Sequence, residues 1–121
     1  MYNSRISGLG MYVPENIVTN DDLSKIMDTS NEWIIERTGI EERRHIKKGD
    51  GNTTAIMGIK AAKIAIERAG IDKDEIDLII FATLSPDYYF PGGGVLVQEE
   101  LKIKTCPAID ILSLIHISEP T

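Results

Sequence analysis

Trp33 and Arg37 stand four residues apart, a spacing that places two side chains on one face of a helix. An indole face at a surface groove is a stacking platform, worth about 1 to 3 kcal/mol by analogy with base stacking. The competing reading makes Trp33 a core anchor beside Ile34 and Ile35 in an amphipathic helix. A nucleophile is harder to find. Cys106 and His116 form a Cys/His pair on paper, but a lone free cysteine is more often a small buried hydrophobe. Gly92-Gly93-Gly94 resembles a phosphate cradle only superficially, because no Gly-Lys-Ser/Thr follows it. It is expected to permit a tight entry into a helix. Arg43, Arg44, Lys47 and Lys48 make a local basic patch, which solvated surface charge explains without a ligand.

These residues need elements to position them. Asn20 or Asp21 is expected to cap a short helix through Met27, with Leu23, Ile26 and Met27 on one face. Thr29-Ser30-Asn31-Glu32 fits the S/T-x-x-E capping box and predicts a helix carrying Trp33 and Arg37 that ends at Gly39. The clearest helix runs from about Thr53 to Ala69, with Ala55, Ile56, Ile59, Ala62, Ile66 and Ala69 at helical spacing and Gly70 closing it. Arg5 to Pro14 reads as a strand weakened by its glycines, and Glu41 to Lys48 as a surface strand or loop. Leu78 to Leu84 is a continuous apolar run, expected as a strand buried on both faces. An aromatic loop, Asp87 to Pro91, then leads to a helix through about Leu101, and Ile109-Asp110-Ile111 begins another strand. This order indicates an α/β protein with crossover connections.

Composition narrows the function classes. With 13 Lys and Arg against 19 Asp and Glu, the chain has a formal net charge of -6, which argues against nucleic-acid binding. No apolar run approaches the roughly 18 to 20 residues of a membrane helix, and no secretory signal is visible, so the expectation is a cytoplasmic protein without a membrane partner. Without such a signal, the sequon at Asn52-Thr53-Thr54 carries no weight. One cysteine cannot build an internal disulfide or a multi-cysteine metal site.

The block Asp28-Thr29-Ser30-Asn31-Glu32-Trp33-Ile34-Ile35-Glu36-Arg37-Thr38-Gly39-Ile40 resembles the N-terminal signature of the β-ketoacyl-acyl-carrier-protein synthase III family. Glu42-Arg43-Arg44, Leu78 to Thr83 and Cys106-Pro107-Ala108-Ile109-Asp110-Ile111 are similar to it as well. The resemblance covers residues 1–111 and implies an incomplete N-terminal half of a thiolase-like, αβαβα-layered fold. It implies an acyltransferase that condenses acyl-CoA with malonyl-acyl-carrier-protein by decarboxylative Claisen chemistry to initiate fatty-acid synthesis. The implied parent is a homodimer, with the coenzyme A thioester as substrate and neither a metal nor a separate cofactor. By the same resemblance Trp33 stacks on the adenine of coenzyme A, Arg37 holds the adenine or the phosphates, Thr38 adds a hydroxyl hydrogen bond, and Phe90 reaches the partner's acyl pocket. Thr29 matches a position near the same groove, though helix capping is the stronger explanation for it. Simpler roles stand beside these: a surface ion pair for Arg37, a helix end for Thr38, loop packing with Tyr88 and Tyr89 for Phe90.

The family's nucleophilic cysteine falls at Ile115, and its histidine and asparagine belong to a later part of a longer chain. No catalytic residue is therefore expected here, and this chain is expected to be inactive. Residues 112–121, Leu112 to Thr121, depart from the family abruptly and resemble translated sequencing-adaptor DNA, which predicts a non-native tail. The competing functions are another thiolase-superfamily condensing enzyme of specialised metabolism and a non-catalytic interaction module of the same fold.

Overall fold

A computed structural model describes residues 3–104 and 106–113. The expectations placed on Ile115, on His116 and on the tail from residue 114 onward lie outside them. The described residues divide into two compact units, one formed by residues 3–12, 53–104 and 106–113 and the other by residues 13–52.

The larger unit is built on helix α3, Thr54–Ala69. Thr53 caps it by accepting the Ile56 N–H, and Gly70 closes it in a left-handed conformation, as the sequence predicts. A short 3-10 turn at Lys73–Glu75 follows. Strand β3 (Ile79–Ala82), helix α4 (Gly93–Leu101) and strand β4 (Ala108–Ile111) then form a β-α-β crossover. β3 and β4 pair in parallel, with Ile80 opposite Ile109 and Phe81 opposite Asp110. Helices α3 and α4 pack together, and Ala55, Ile59, Val97 and Ile103 are buried. Fully burying an aliphatic side chain of Val or Ile size stabilises a fold by about 1.5 to 3 kcal/mol. The Phe81 ring lies against Gly58 of α3 and Gly93 of α4, where a Cβ would stand 2.7 Å and 2.5 Å from it.

Two expectations fail in this unit. Residues 5–13 form no strand, because they find no ladder partner among the described residues. Residues 8–10 run along α3 instead, and Gly8 and Gly10 approach it so closely that a Cβ would strike the carbonyl oxygens of Ala65 and Ala61. The β3 run is also not covered on both faces. Its residues alternate, and Ile80 and Ile109 lie exposed on the side away from the helices.

The smaller unit contains strand β1 (Ile17–Thr19), helices α1 (Asn20–Ser24) and α2 (Asn31–Thr38), and strand β2 (Glu42–Arg44). β1 and β2 pair antiparallel, with Val18 opposite Arg43. The caps differ from those expected. Thr19 starts α1 through a capping box with Asp22, and α1 ends at Ser24, leaving Ile26 and Met27 exposed. Ser30, rather than Thr29, caps α2 by accepting the Trp33 N–H at 3.1 Å. Ser30 has the extended backbone that an N-cap needs, so the box read from Thr29 is shifted by one residue. Gly39 closes α2 at φ 68°, a left-handed conformation that glycine adopts without steric cost.

Candidate coenzyme-facing site

Helix α2 turns Ile34 inward and leaves Trp33 53% exposed, so the indole does not anchor the core of its unit. Arg37 lies over the indole, its guanidinium carbon 4.9 Å from the ring centroid. A cation-π contact at an exposed site contributes about 0.5 to 1 kcal/mol and fixes the orientation of both groups. Asp28, Thr29, Ser30 and Trp33 line a small surface cleft. The Thr29 hydroxyl is buried there and makes no hydrogen bond.

Glu32 sits in the first turn of α2. Hydrogen bonds from its own N–H, then from the Ser30 hydroxyl and the Asn31 side chain, hold its carboxyl below the usual value. Its negative charge also complements the positive end of the helix. Thr38 closes the other end. Its hydroxyl donates to the Ile34 carbonyl at 2.7 Å and accepts the Ile40 N–H at 3.1 Å. The proton of Thr38 is therefore committed to the helix, and one lone pair remains for a ligand.

The residue that holds this arrangement together escaped the reading of the sequence. Asn20 is only 1% exposed. Its Nδ2 donates to Asn31 Oδ1 at 3.0 Å and to the Ile40 carbonyl at 2.8 Å, while its Oδ1 accepts from Arg43 at 2.6 Å. Arg43 also donates to the Val18 carbonyl at 3.4 Å. Arg44 donates to the Glu15 carbonyl at 3.3 Å. Arg43 is thus turned to internal contacts, while Arg44 stays exposed, as solvated surface charge predicts. The signal was the strand period: in a three-residue strand with Glu42 and Arg44 pointing out, Arg43 must point in.

Phe90 belongs to the other unit. It is 91% exposed, and Tyr88 and Tyr89 beside it are exposed too, so Phe90 is not buried by packing against them. Both ends of this aromatic loop are tied down. At one end, Asp87 accepts the N–H groups of Thr54 and Ala55 at 2.9 Å each. Burial raises the Asp87 carboxyl, but hydrogen bonds from Thr53, Ala55 and Thr54 outweigh that and leave it lowered. At the other end, Asp110 of β4 accepts the Gly93 and Gly94 N–H groups at 2.5 and 2.7 Å. That carboxylate occupies the start of α4, where a phosphate-cradling loop would have bound its ligand.

Cys106 is half-buried before β4, and Gln98 Nε2 donates to its carbonyl at 3.0 Å. Among the described residues, no group of three or more His, Cys, Asp or Glu side chains is placed to hold a metal ion. Likewise, no described helix is long and apolar enough to cross a membrane.

Curated proteins resemble this chain along most of its length. A protein of Chlamydia caviae is 51% identical over 104 residues, covering 86% of this chain and 30% of that protein. One of Vibrio vulnificus is 53% identical over 108 residues, covering 89% and 34%. The chain is similar to β-ketoacyl-acyl-carrier-protein synthase III. It spans about a third of the length of these curated relatives of the synthase. The crystal structure of 3-oxoacyl-acyl-carrier-protein synthase III from Aquifex aeolicus superposes with a TM-score of 0.84 at 49% identity, covering 90% of this chain and 34% of that one. The priming β-ketosynthase of the R1128 polyketide pathway gives 0.82 at 34% identity, covering 88% and 31%. No family model matches the chain. The fold is accordingly a partial α/β fold of the thiolase-like kind seen in these synthase structures.

Proposed function

We propose that this chain supplies the coenzyme-A-facing part of a β-ketoacyl-acyl-carrier-protein synthase III-type acyltransferase. The carrying observation is the exposed Trp33 with Arg37 held over it on α2. An indole and a guanidinium together suit a flat heterocycle bearing phosphates, which is the chemistry of the adenosine end of coenzyme A. Thr38 contributes its remaining lone pair, and Thr29 lines the same cleft as Trp33 with its hydroxyl buried beneath the surface. The whole enzyme condenses an acyl-CoA primer with malonyl-acyl-carrier-protein in the cytoplasm, as a homodimer. Phe90 is the residue that reaches into the partner subunit, which accounts for an exposed phenylalanine on a tethered loop. A role in specialised metabolism is the second reading, favoured by the likeness to the polyketide priming enzyme, though the identity to fatty-acid synthases is higher.

Calorimetric titration of the chain with coenzyme A tests the site. We expect saturable binding that weakens by roughly tenfold in Trp33→Ala, the equivalent of about one lost stacking contact. Arg37→Ala should weaken it less. Equal binding by parent and Trp33→Ala would return Trp33 to a structural role. Incubation with radiolabelled acyl-CoA tests the catalytic expectation. This chain should form no thioester at Cys106 and show no turnover, and a labelled Cys106 with turnover overturns it.

A further inference from the structure

We propose that Asn20 is the positioning residue of the Trp33–Arg37 surface, a role that rests on reading that surface as the coenzyme A contact. One carboxamide grips both ends of α2. Its Nδ2 holds Asn31, the first residue of the helix, and the carbonyl of Ile40, just beyond the closing Gly39. Its Oδ1 is held in turn by Arg43 of β2 at 2.6 Å, a charge-assisted bond. The Asn20 backbone adds a fourth link, its N–H donating to the Glu41 carbonyl at 3.3 Å. Both side-chain protons are used, and the oxygen is paired with a charged donor.

What this network fixes is rotation. Ile34 is the only residue of α2 that is buried, and one apolar contact leaves a short helix free to roll about its axis. Trp33 and Ile34 are neighbours about 100° apart on the helix, so a roll that keeps Ile34 covered still sweeps Trp33 sideways. At a side-chain radius of about 5 to 6 Å, a roll of 30° moves the indole by roughly 3 Å. That displacement is enough to misalign a stacked ring. Tethers at both ends of α2 remove this freedom. Arg43 connects the tether to the β1–β2 ladder through the Val18 carbonyl, so the platform is referenced to the strands of its unit. Asn20, Asn31 and Arg43 touch no ligand in this arrangement; they act through the orientation of α2.

The test uses the full chain, whose only tryptophan is Trp33. Circular dichroism read at the red edge of the indole band, and fluorescence anisotropy excited there, beyond tyrosine and phenylalanine absorption, then report the indole alone. Asn20→Ala should lose most of the tryptophan dichroism, lower the anisotropy and weaken coenzyme A by roughly tenfold, about the effect of one mis-set contact. Asn31→Ala, which removes a single tether, should shift all three in the same direction by less. Ile59→Val, at a buried position of α3 in the other unit, should lower the melting temperature and leave all three unchanged. An Asn20→Ala protein that folds with the parent's indole signals and coenzyme A affinity overturns the proposal. If Asn20→Ala does not fold, Asn31→Ala decides alone, and parent-like values for it overturn the proposal. If the parent binds no coenzyme A, the functional reading fails by itself, and the ligand-free indole signals still decide the role of Asn20.

Discussion

The two units are held together by different physics. The larger one closes through small residues and apolar contact: Gly8 and Gly10 lie on the backbone of α3, and Phe81 lies between Gly58 and Gly93. The smaller one has a single buried aliphatic side chain in its principal helix and closes instead around the Asn20 carboxamide. Apolar packing tolerates small rearrangements, whereas a satisfied buried hydrogen-bond network specifies one arrangement. The unit that carries Trp33 and Arg37 is the one built for orientation. The unit that carries Phe90 is built for bulk, with the aromatic loop tied to it by two carboxylates.

The sharpest way to break this contrast is to remove its two centres. Asn20→Ala removes three side-chain hydrogen bonds, to Asn31, to the Ile40 carbonyl and from Arg43, and each contributes about 0.5 to 1.5 kcal/mol, more where the donor is charged. We expect a loss of about 3 kcal/mol, read as an earlier urea transition by Trp33 fluorescence. Gly10→Ala should cost about 2 kcal/mol through overpacking against backbone that cannot move aside. Hydrogen exchange of the α3 amides should report it, while the ligand-free Trp33 spectrum stays unchanged. If Asn20→Ala proves the milder of the two, the smaller unit does not depend on its polar centre.

A finer test concerns two adjacent hydroxyls. Ser30→Ala removes the cap of α2 and should cost about 1 kcal/mol. Thr29→Val removes a hydroxyl that has no partner and should be neutral to within about 0.5 kcal/mol by thermal denaturation. The reverse order would restore the capping box that the sequence suggests.

That pair also shows where the sequence is readable. Helix α3 was legible because its period, its Thr53 cap and its Gly70 stop all agree. The β3–α4–β4 order was legible from an apolar run, a glycine-led helix and a second apolar run. The spacing of Trp33 and Arg37 was enough to place them on one face. Residues 5–13 were misread because a strand needs a partner, and pairing is a non-local property. Asn20 was passed over for a related reason. Its contacts lie 11, 20 and 23 residues away, and no local pattern distinguishes a buried asparagine from a helix cap. Arg43 read as surface charge because charge is visible in a sequence and direction is not.

The smallest expected effect is that of pH. The carboxyls of Asp87 in the larger unit and Glu32 in the smaller are both lowered in the folded protein. A lowered folded value means that the stabilisation is fully present above the unfolded value, near 4, and is lost as pH falls through the folded value. Denaturation curves measured between pH 5 and 2 should therefore show declining stability. Asp87→Asn should flatten that decline for α3 amides only, and Glu32→Gln for the Trp33 signal only. A decline untouched by either substitution would place the acid-sensitive groups elsewhere.

The close approach of Gly10 to α3 has a consequence for heredity. Every amino acid other than glycine carries a Cβ, so every missense change in that codon drives a carbon toward the Ala61 carbonyl. Gly39 faces no such neighbour, and asparagine, which tolerates its left-handed backbone, is an admissible replacement there. In a saturation library of this gene selected for folded protein, codon 10 should return almost a single amino acid, and codon 39 a short list.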